Sequence, residues 1–290
     1  MTPTIDNLTG SWTLASTPTY SLCPSSPSLT RHQPTKTNHP PPPNPPRRAR
    51  GKGPNYQDKS LSSDLDPILK LQGIPWLLRK TILFTPLTIQ ITHHTVTTNN
   101  ASGRTTMHLT ARQTSIKAAN PPPDIRHFDW EVYEQENLLF GGIVCRNRYI
   151  RGDILVPALT EVGGSAGGGS GDGVVRPAVE VQSLLEDDLG QAVVRRFLRG
   201  EVEVDGCTLS EGFLVEEPVV GGLFGEEGQG DGEGIWGHVF DRKKDGGWCS
   251  EQVWGFEMIH GERLYTRRAV VTNSTGGYGL AQLVYRLVES

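Results

Sequence analysis

Residues 250–272 read SEQVWGFEMIHGERLYTRRAVVT, and their period decides the fold. Two runs of strand-forming residues flank His260-Gly261, a connection of the length that closes a tight β-hairpin. Side chains alternate across a strand, so Arg263, Tyr265 and Arg267 share one face of the second run and Leu264, Thr266 and Arg268 the other. One of the adjacent pair Arg267 and Arg268 must therefore face the interior of any closed sheet.

Working outward, GIWGHVFDR before this hairpin and LAQLVYRLVE after it read as further strands, joined by tight KKDGG and STGGYG turns. Upstream, TILFTPLTIQITHHT runs through an NNASG turn into RTTMHLTARQT, where Met107, Leu109 and Ala111 share a face. RHFDWEVYEQ places Phe128, Trp130 and Val132 on one side, and LLFGGIVCRNRYI returns. Four strands in meander order argue for an antiparallel sheet. The segment EVQSLLEDDLGQAVVRRFLRGEVEVDG is expected to form a helix through about Leu198 and then a strand over residues 200–204.

At the other end of the chain, DNLTGSWTL (residues 6–14) carries a Gly-x-Trp triplet at Gly10 and Trp12. SSDLDPILKLQGIPWLLRKTI then gives two short helices: Ser62 or Ser63 as N-cap, Leu65, Ile68, Leu69 and Leu71 as the apolar stripe, Gly73 as its end, and a second helix over residues 74–80. One strand, a two-helix lid and nine strands make ten. Ten antiparallel strands most economically close into a barrel, because closure removes open edges. The expected fold is mainly β, a ten-stranded antiparallel barrel under a two-helix lid, and residues 1–290 form one domain. Such a barrel is too wide to fill entirely with side chains and suits one small ligand.

Three tracts interrupt it. Residues 15–58 are Ser/Thr/Pro-rich and turn basic, which predicts disorder. Residues 157–178 form a Gly/Ser-rich loop, and residues 207–233 an acidic, Gly-rich one. Pro43-Asn44-Pro45-Pro46-Arg47-Arg48 has the shape of a Src-homology-3 ligand, a partner motif within residues 43–48. The first 60 residues hold seven Lys or Arg against two acids, whereas residues 201–234 hold ten acids and no Lys or Arg.

A net charge of −4 gives no reason to expect nucleic-acid binding. The four cysteines are widely spaced, with neither a C-x-x-C pair nor a metal-like cluster, as for free thiols in a reducing compartment. With no secretory leader and no apolar run of membrane-spanning length, the expectation is a cytoplasmic protein without stable membrane insertion.

The ordered set Gly10, Trp12, Asp66, Leu69, Gly73, Ile74, Arg79 and Lys80 resembles the opening of the intracellular fatty-acid-binding proteins of the calycin superfamily. HFDW, SEQVWGFE and GERLYTRRAVVT resemble uncharacterised lipocalin-like proteins of fungi. The resemblance implies a lidded barrel that binds a hydrophobic, lipid-like or secondary-metabolite ligand, with Gly10, Trp12, Asp66, Gly73 and Arg79 as structural positions. Two departures stand out. In the family the first strand runs almost directly into the lid, whereas residues 15–58 intervene here, so Leu14 would naturally join residues 58–61. Fatty-acid carriers end on an Arg-x-Tyr that anchors the ligand carboxylate; here Leu283-Val284-Tyr285 keeps the tyrosine alone.

Arg267 or Arg268 can replace the lost cation, since a buried arginine needs an anionic or hydrogen-bonding partner. A ligand carboxylate, phenolate or enolate would serve; stacking on Trp12 at the closed end is the competing role. Phe128, Trp130, Trp254 and Phe256 supply apolar area to line the interior or simply to fill it. No two histidines stand at metal-ligand spacing with a carboxylate or thiol, and nucleophile-elbow, zinc-protease and phosphate-loop motifs are absent. The expected activity is binding or carriage without a cofactor. A cofactor-free cyclase or isomerase in the same barrel is the alternative, because shaping a ligand and polarising one carbonyl leaves no motif.

Overall fold

A computed structural model describes residues 3–15, 61–97, 105–114, 122–155, 174–183, 185, 187–217 and 232–288. Most of the 15–58 tract and the Pro/Arg motif lie outside the described residues, as do 156–173 and 218–231.

Ten antiparallel strands form a nearly closed barrel. In chain order they are β1 (Gly10–Leu14), β2 (Thr88–Thr97), β3 (Thr105–Gln113), β4 (Asp124–His127), β5 (Tyr133–Asn137), β6 (Gly141–Ile150), β9 (Trp236–Lys243), β10 (Trp248–Ile259), β11 (Glu262–Asn273) and β12 (Tyr278–Leu287). Between β6 and β9 the chain adds a separate hairpin, β7 (Gly152–Leu155) with β8 (Val174–Pro177), and a helix, α3 (Asp188–Leu198). Around the wall the order is β4-β3-β2-β1-β12-β11-β10-β9-β6-β5.

The strand number matches the expectation, but the tenth strand has a different source. Residues 200–204 make only an isolated bridge, Val202 to Leu209. RHFDWEVYEQ instead splits into β4 and β5, because the chain bends through Trp130 at φ +63°. A bulky residue in the left-handed region ends a strand and reverses the alternation on which Phe128 and Trp130 were expected to share a face.

The lid comprises α1 (Asp66–Leu71) and α2 (Trp76–Phe84). The second helix thus runs four residues beyond Lys80, and β2 begins later than TILF suggested. Gly73, at φ +77°, supplies the left-handed turn after α1. Asp66 stitches the two helices together, accepting from Arg79 Nε at 3.2 Å and Lys80 Nζ at 3.3 Å. Ile68 plugs one end of the barrel against Ile143, Trp248, Val271 and Ala281. The other end is closed by Ile5, Leu8 and Trp12, whose indole Nε1 donates to the Leu8 carbonyl at 2.8 Å. No helix among the described residues is long and apolar enough to cross a membrane.

Residues 174–217 wrap the outer wall as a second layer. Asp187 caps α3 by accepting from the Leu189 and Gly190 amides at 3.2 and 2.8 Å. Gly190, Val194, Phe197 and Leu198 form its buried stripe, at the spacing of one helix face. Val194, Phe197 and Leu198 pack with Val253 and Val270 of the wall. Gly255 permits the close approach: a Cβ there would stand 2.7 Å from both Phe213 and Trp236. Part of the stretch expected as an acidic loop is therefore docked, with Leu214 N donating to Phe256 O at 2.7 Å. Glu251, fully buried on this outer face, accepts from the Gln182 and Ser183 amides and lies 2.8 Å from His238 Nε2.

Candidate functional site

Strand alternation turns Arg267 inward and Arg268 outward. The Arg267 guanidinium lies 4.1 Å from the ring centroid of Trp254, its cross-strand neighbour on β10, and 5.3 and 5.1 Å from Tyr265 and Tyr285. Its Nε donates to the Tyr265 hydroxyl at 2.8 Å, whereas Nη2 is buried without a hydrogen-bond partner. Among the described residues no carboxylate forms an ion pair with it. Burial works against the charge, but the phenol oxygens of Tyr265 and Tyr285 more than offset it, so Arg267 stays a cation. Burial also pushes both phenols up, so each remains a neutral O–H. Tyr265 accepts from Arg267 and keeps its own hydrogen to donate.

Aromatic rings surround this group. Trp12 stands 5.3 Å edge-on to Tyr265 and 6.3 Å from Phe256. Phe128 stacks on Tyr149 at 4.4 Å and meets Trp254 at 6.1 Å. Trp254 Nε1 is held by Gln252 Oε1 at 2.9 Å. Five of the residues singled out in the sequence, Arg267, Tyr285, Trp254, Phe256 and Phe128, thus meet in one interior cluster, with Trp12 at its floor.

Two do not join it. Arg268 is fully buried on the outer face, where Nε and Nη2 donate to Glu257 at 2.9 Å each, Nη1 to Val202 O at 2.6 Å and Nη2 to Ser210 Oγ at 2.7 Å. It clamps the second layer to the wall. Trp130 lies outside the barrel because of its left-handed backbone, between the guanidiniums of Arg146 and Arg148 at 4.3 and 4.2 Å and 5.0 Å from His238.

The interior also holds a polar group that sequence reasoning missed. Between β4 and β5 the wall has no ladder hydrogen bonds, and side chains bridge this seam. Arg126 Nη1 pairs with Asp241 at 2.5 Å and its Nε with Asp124 at 2.9 Å. Gln135 Nε2 donates to Asp124 at 2.8 Å, Tyr133 OH to Ile125 O at 3.2 Å, and Asn147 Nδ2 to His127 O at 3.1 Å. Alternation could have put Asp124 and Arg126 on one face, but it could not show that Asp241, more than a hundred residues away, meets them. Burial pushes the Cys145 thiol and the Tyr133 phenol up beside this network.

The concavities at the surface are shallow. The larger, about 590 Å³, lies where the short β1 begins, between Gln90–Thr92 of β2 and Leu287–Val288. A smaller one, about 250 Å³, lies over the β5–β6 hairpin at Glu134, Gly142 and Lys244. Neither includes Arg267. Fold and site together define a lidded ten-stranded antiparallel barrel with an interior arginine that forms no ion pair among the described residues. No protein-family model, curated protein or solved structure matches the chain.

Proposed function

We propose that the barrel binds and carries a small, largely apolar anion, with Arg267 as the charge that receives it. The carrying observation is the buried Nη2 of Arg267, which lacks a partner inside an aromatic cluster. A desolvated guanidinium with an unmet donor is costly, and a ligand carboxylate, phenolate or enolate supplies the missing acceptor. The Tyr265 hydroxyl stands beside that position as a second donor. The resemblance of Gly10, Trp12, Asp66, Gly73 and Arg79 to the opening of calycin-superfamily fatty-acid-binding proteins points to the same class of ligand. Occupancy requires aromatic side chains to move aside, since the rings of Trp254, Tyr265 and Tyr285 stand within 4.1–5.3 Å of the guanidinium.

Native mass spectrometry of the purified chain, with titration of an anionic naphthalene-sulfonate fluorophore, tests this. Arg267→Met is expected to weaken the fluorophore by about tenfold, the loss of about 1.4 kcal/mol of binding. No retained ligand, together with equal fluorophore affinity in both proteins, would overturn the proposal.

A further inference from the structure

A second cationic group lies outside the barrel, on the face shared by β6 and β9. Alternation along β6 sends Cys145 and Asn147 into the interior and Arg146 and Arg148 outward. On β9 the register sets His238 opposite Arg148 and Phe240 opposite Arg146. Arg242, opposite Val144, is the diagonal neighbour of Arg146, a spacing that long side chains span. The indole of Trp130 lies between the two β6 guanidiniums, 4.3 Å from Arg146 and 4.2 Å from Arg148.

We propose that Arg146, Arg148 and Arg242 form a surface site for a phosphate group, preorganised by Trp130 and separate from the interior that holds Arg267.

The two stacked arginines are fixed in different ways. Arg148 Nε donates to His238 Nδ1 at 3.4 Å, Nη2 pairs with Glu180 at 3.2 Å, and His238 Nε2 is itself 2.8 Å from Glu251. Arg146 is held by the ring: its Nε is buried without an acceptor, and among the described residues it forms no ion pair. Arg242 is exposed and likewise forms no ion pair among the described residues.

The nearby acids leave this charge standing. Glu180 has a side chain 79% exposed, so its attraction is largely screened. The buried Glu251 is occupied by the Gln182 and Ser183 amides and by His238. Asp129 accepts from the Glu131 amide at 3.0 Å, and Glu134 pairs with Lys244.

Each guanidinium gains from the face of the indole, but two like charges on one ring still repel. A dianion at their rim removes that repulsion. Three guanidiniums on one face offer more donors than a planar carboxylate accepts, whereas phosphate oxygens accept from several at once. The backbone of Trp130 supports the same reading. Its φ of +63° is unfavourable for a bulky residue, and the turn is held by the Trp130 amide donating to the Asn147 carbonyl at 2.8 Å. Strain of this kind collects at ligand clamps. It sets the ring beside both arginines in advance, which lowers the ordering cost of binding.

Titration of the full chain with inorganic phosphate and with phenyl phosphate tests the site, at constant ionic strength and about pH 7.5, where phosphate monoesters are dianionic. Nitrogen-15 NMR of arginine Nε–H and indole N–H groups is expected to show saturable shifts at Arg146, Arg148 and Trp130, with dissociation constants in the millimolar range. Tighter binding of phenyl phosphate would assign the source to a phosphorylated aromatic molecule, and tighter binding of inorganic phosphate to the free ion; either supports the site. Arg146→Lys keeps the charge but loses the fork, and is expected to weaken phosphate by at least about fivefold. Arg242→Met, at an exposed position, should weaken it by about threefold without disturbing the fold. Lys70→Met removes one exposed charge from the lid and should change nothing. Shifts that fail to saturate, equal weakening in Lys70→Met, or unchanged affinity in both arginine variants would each overturn the proposal.

Discussion

The backbone amide of Ser62 donates to the carbonyl of Ala15 at 2.8 Å. The chain therefore leaves β1 and re-enters the fold at the same place. Ser62 and Ser63 continue the join by bonding the β12 backbone at Val284 and Gln282. Replacing residues 16–60 with a two-glycine link should preserve the barrel. It should also stabilise it by about 2 kcal/mol, because a far shorter loop has to be closed. Urea denaturation of the two proteins measures the difference, and loss of cooperative unfolding would show that the excised residues support the fold.

Adjacent arginines should respond unequally to the same substitution. Arg268→Met leaves the Glu257 carboxylate buried beside Thr266 and Gln282 without its cation, which costs about 3–5 kcal/mol. Arg267→Met removes an arginine whose Nη2 is unmet, so its cost should stay within about 1 kcal/mol. Equal losses in denaturant midpoint would contradict the inward and outward assignment.

The seam should be the weakest part of the wall. Asp241→Asn removes one of the two carboxylates that hold Arg126, a group buried among them. A loss of about 3 kcal/mol is expected. Peptide-resolved exchange should place the largest change in β4 and β5, and a change spread evenly over β9–β12 would count against a seam held by this ion pair.

A global pH dependence should come from His93. Its Nδ1 accepts from the Leu8 amide at 3.1 Å, and burial brings its pKa from 6.5 down to about 4. The folded chain thus binds fewer protons than the unfolded one between those values. Stability is complete above about pH 6.5 and declines as pH falls to about 4, by about 3 kcal/mol. Denaturant midpoints at pH 7, 5.5 and 4 give the slope, and His93→Leu should flatten it.

Much of the barrel was legible because alternation is a local property. The β9–β12 strands, the two-helix lid and the inward turn of either Arg267 or Arg268 follow from spacing alone, whereas the placing of Trp12 beneath the interior rested on the resemblance of its Gly-x-Trp triplet. The sequence also carried the break after Leu14, where apolar residues stop and proline begins.

Other features depended on contacts that no local period encodes. A single left-handed residue, Trp130, divided one expected strand into β4 and β5 and carried its own ring outside the wall. Which arginine faces inward required knowing that Val253 and Val270 serve the outer layer while Trp254 and Tyr265 serve the core. Asp241 meets Arg126 only because the sheet curls until distant strands share one interior, and the Glu257–Arg268 pair of neighbouring strands β10 and β11 is buried only because the outer layer covers that wall. Sequence alone determined the alternation and the element order; the tertiary structure decided which faces are interior and which buried charges are paired, because closure of the sheet depends on all its strands at once.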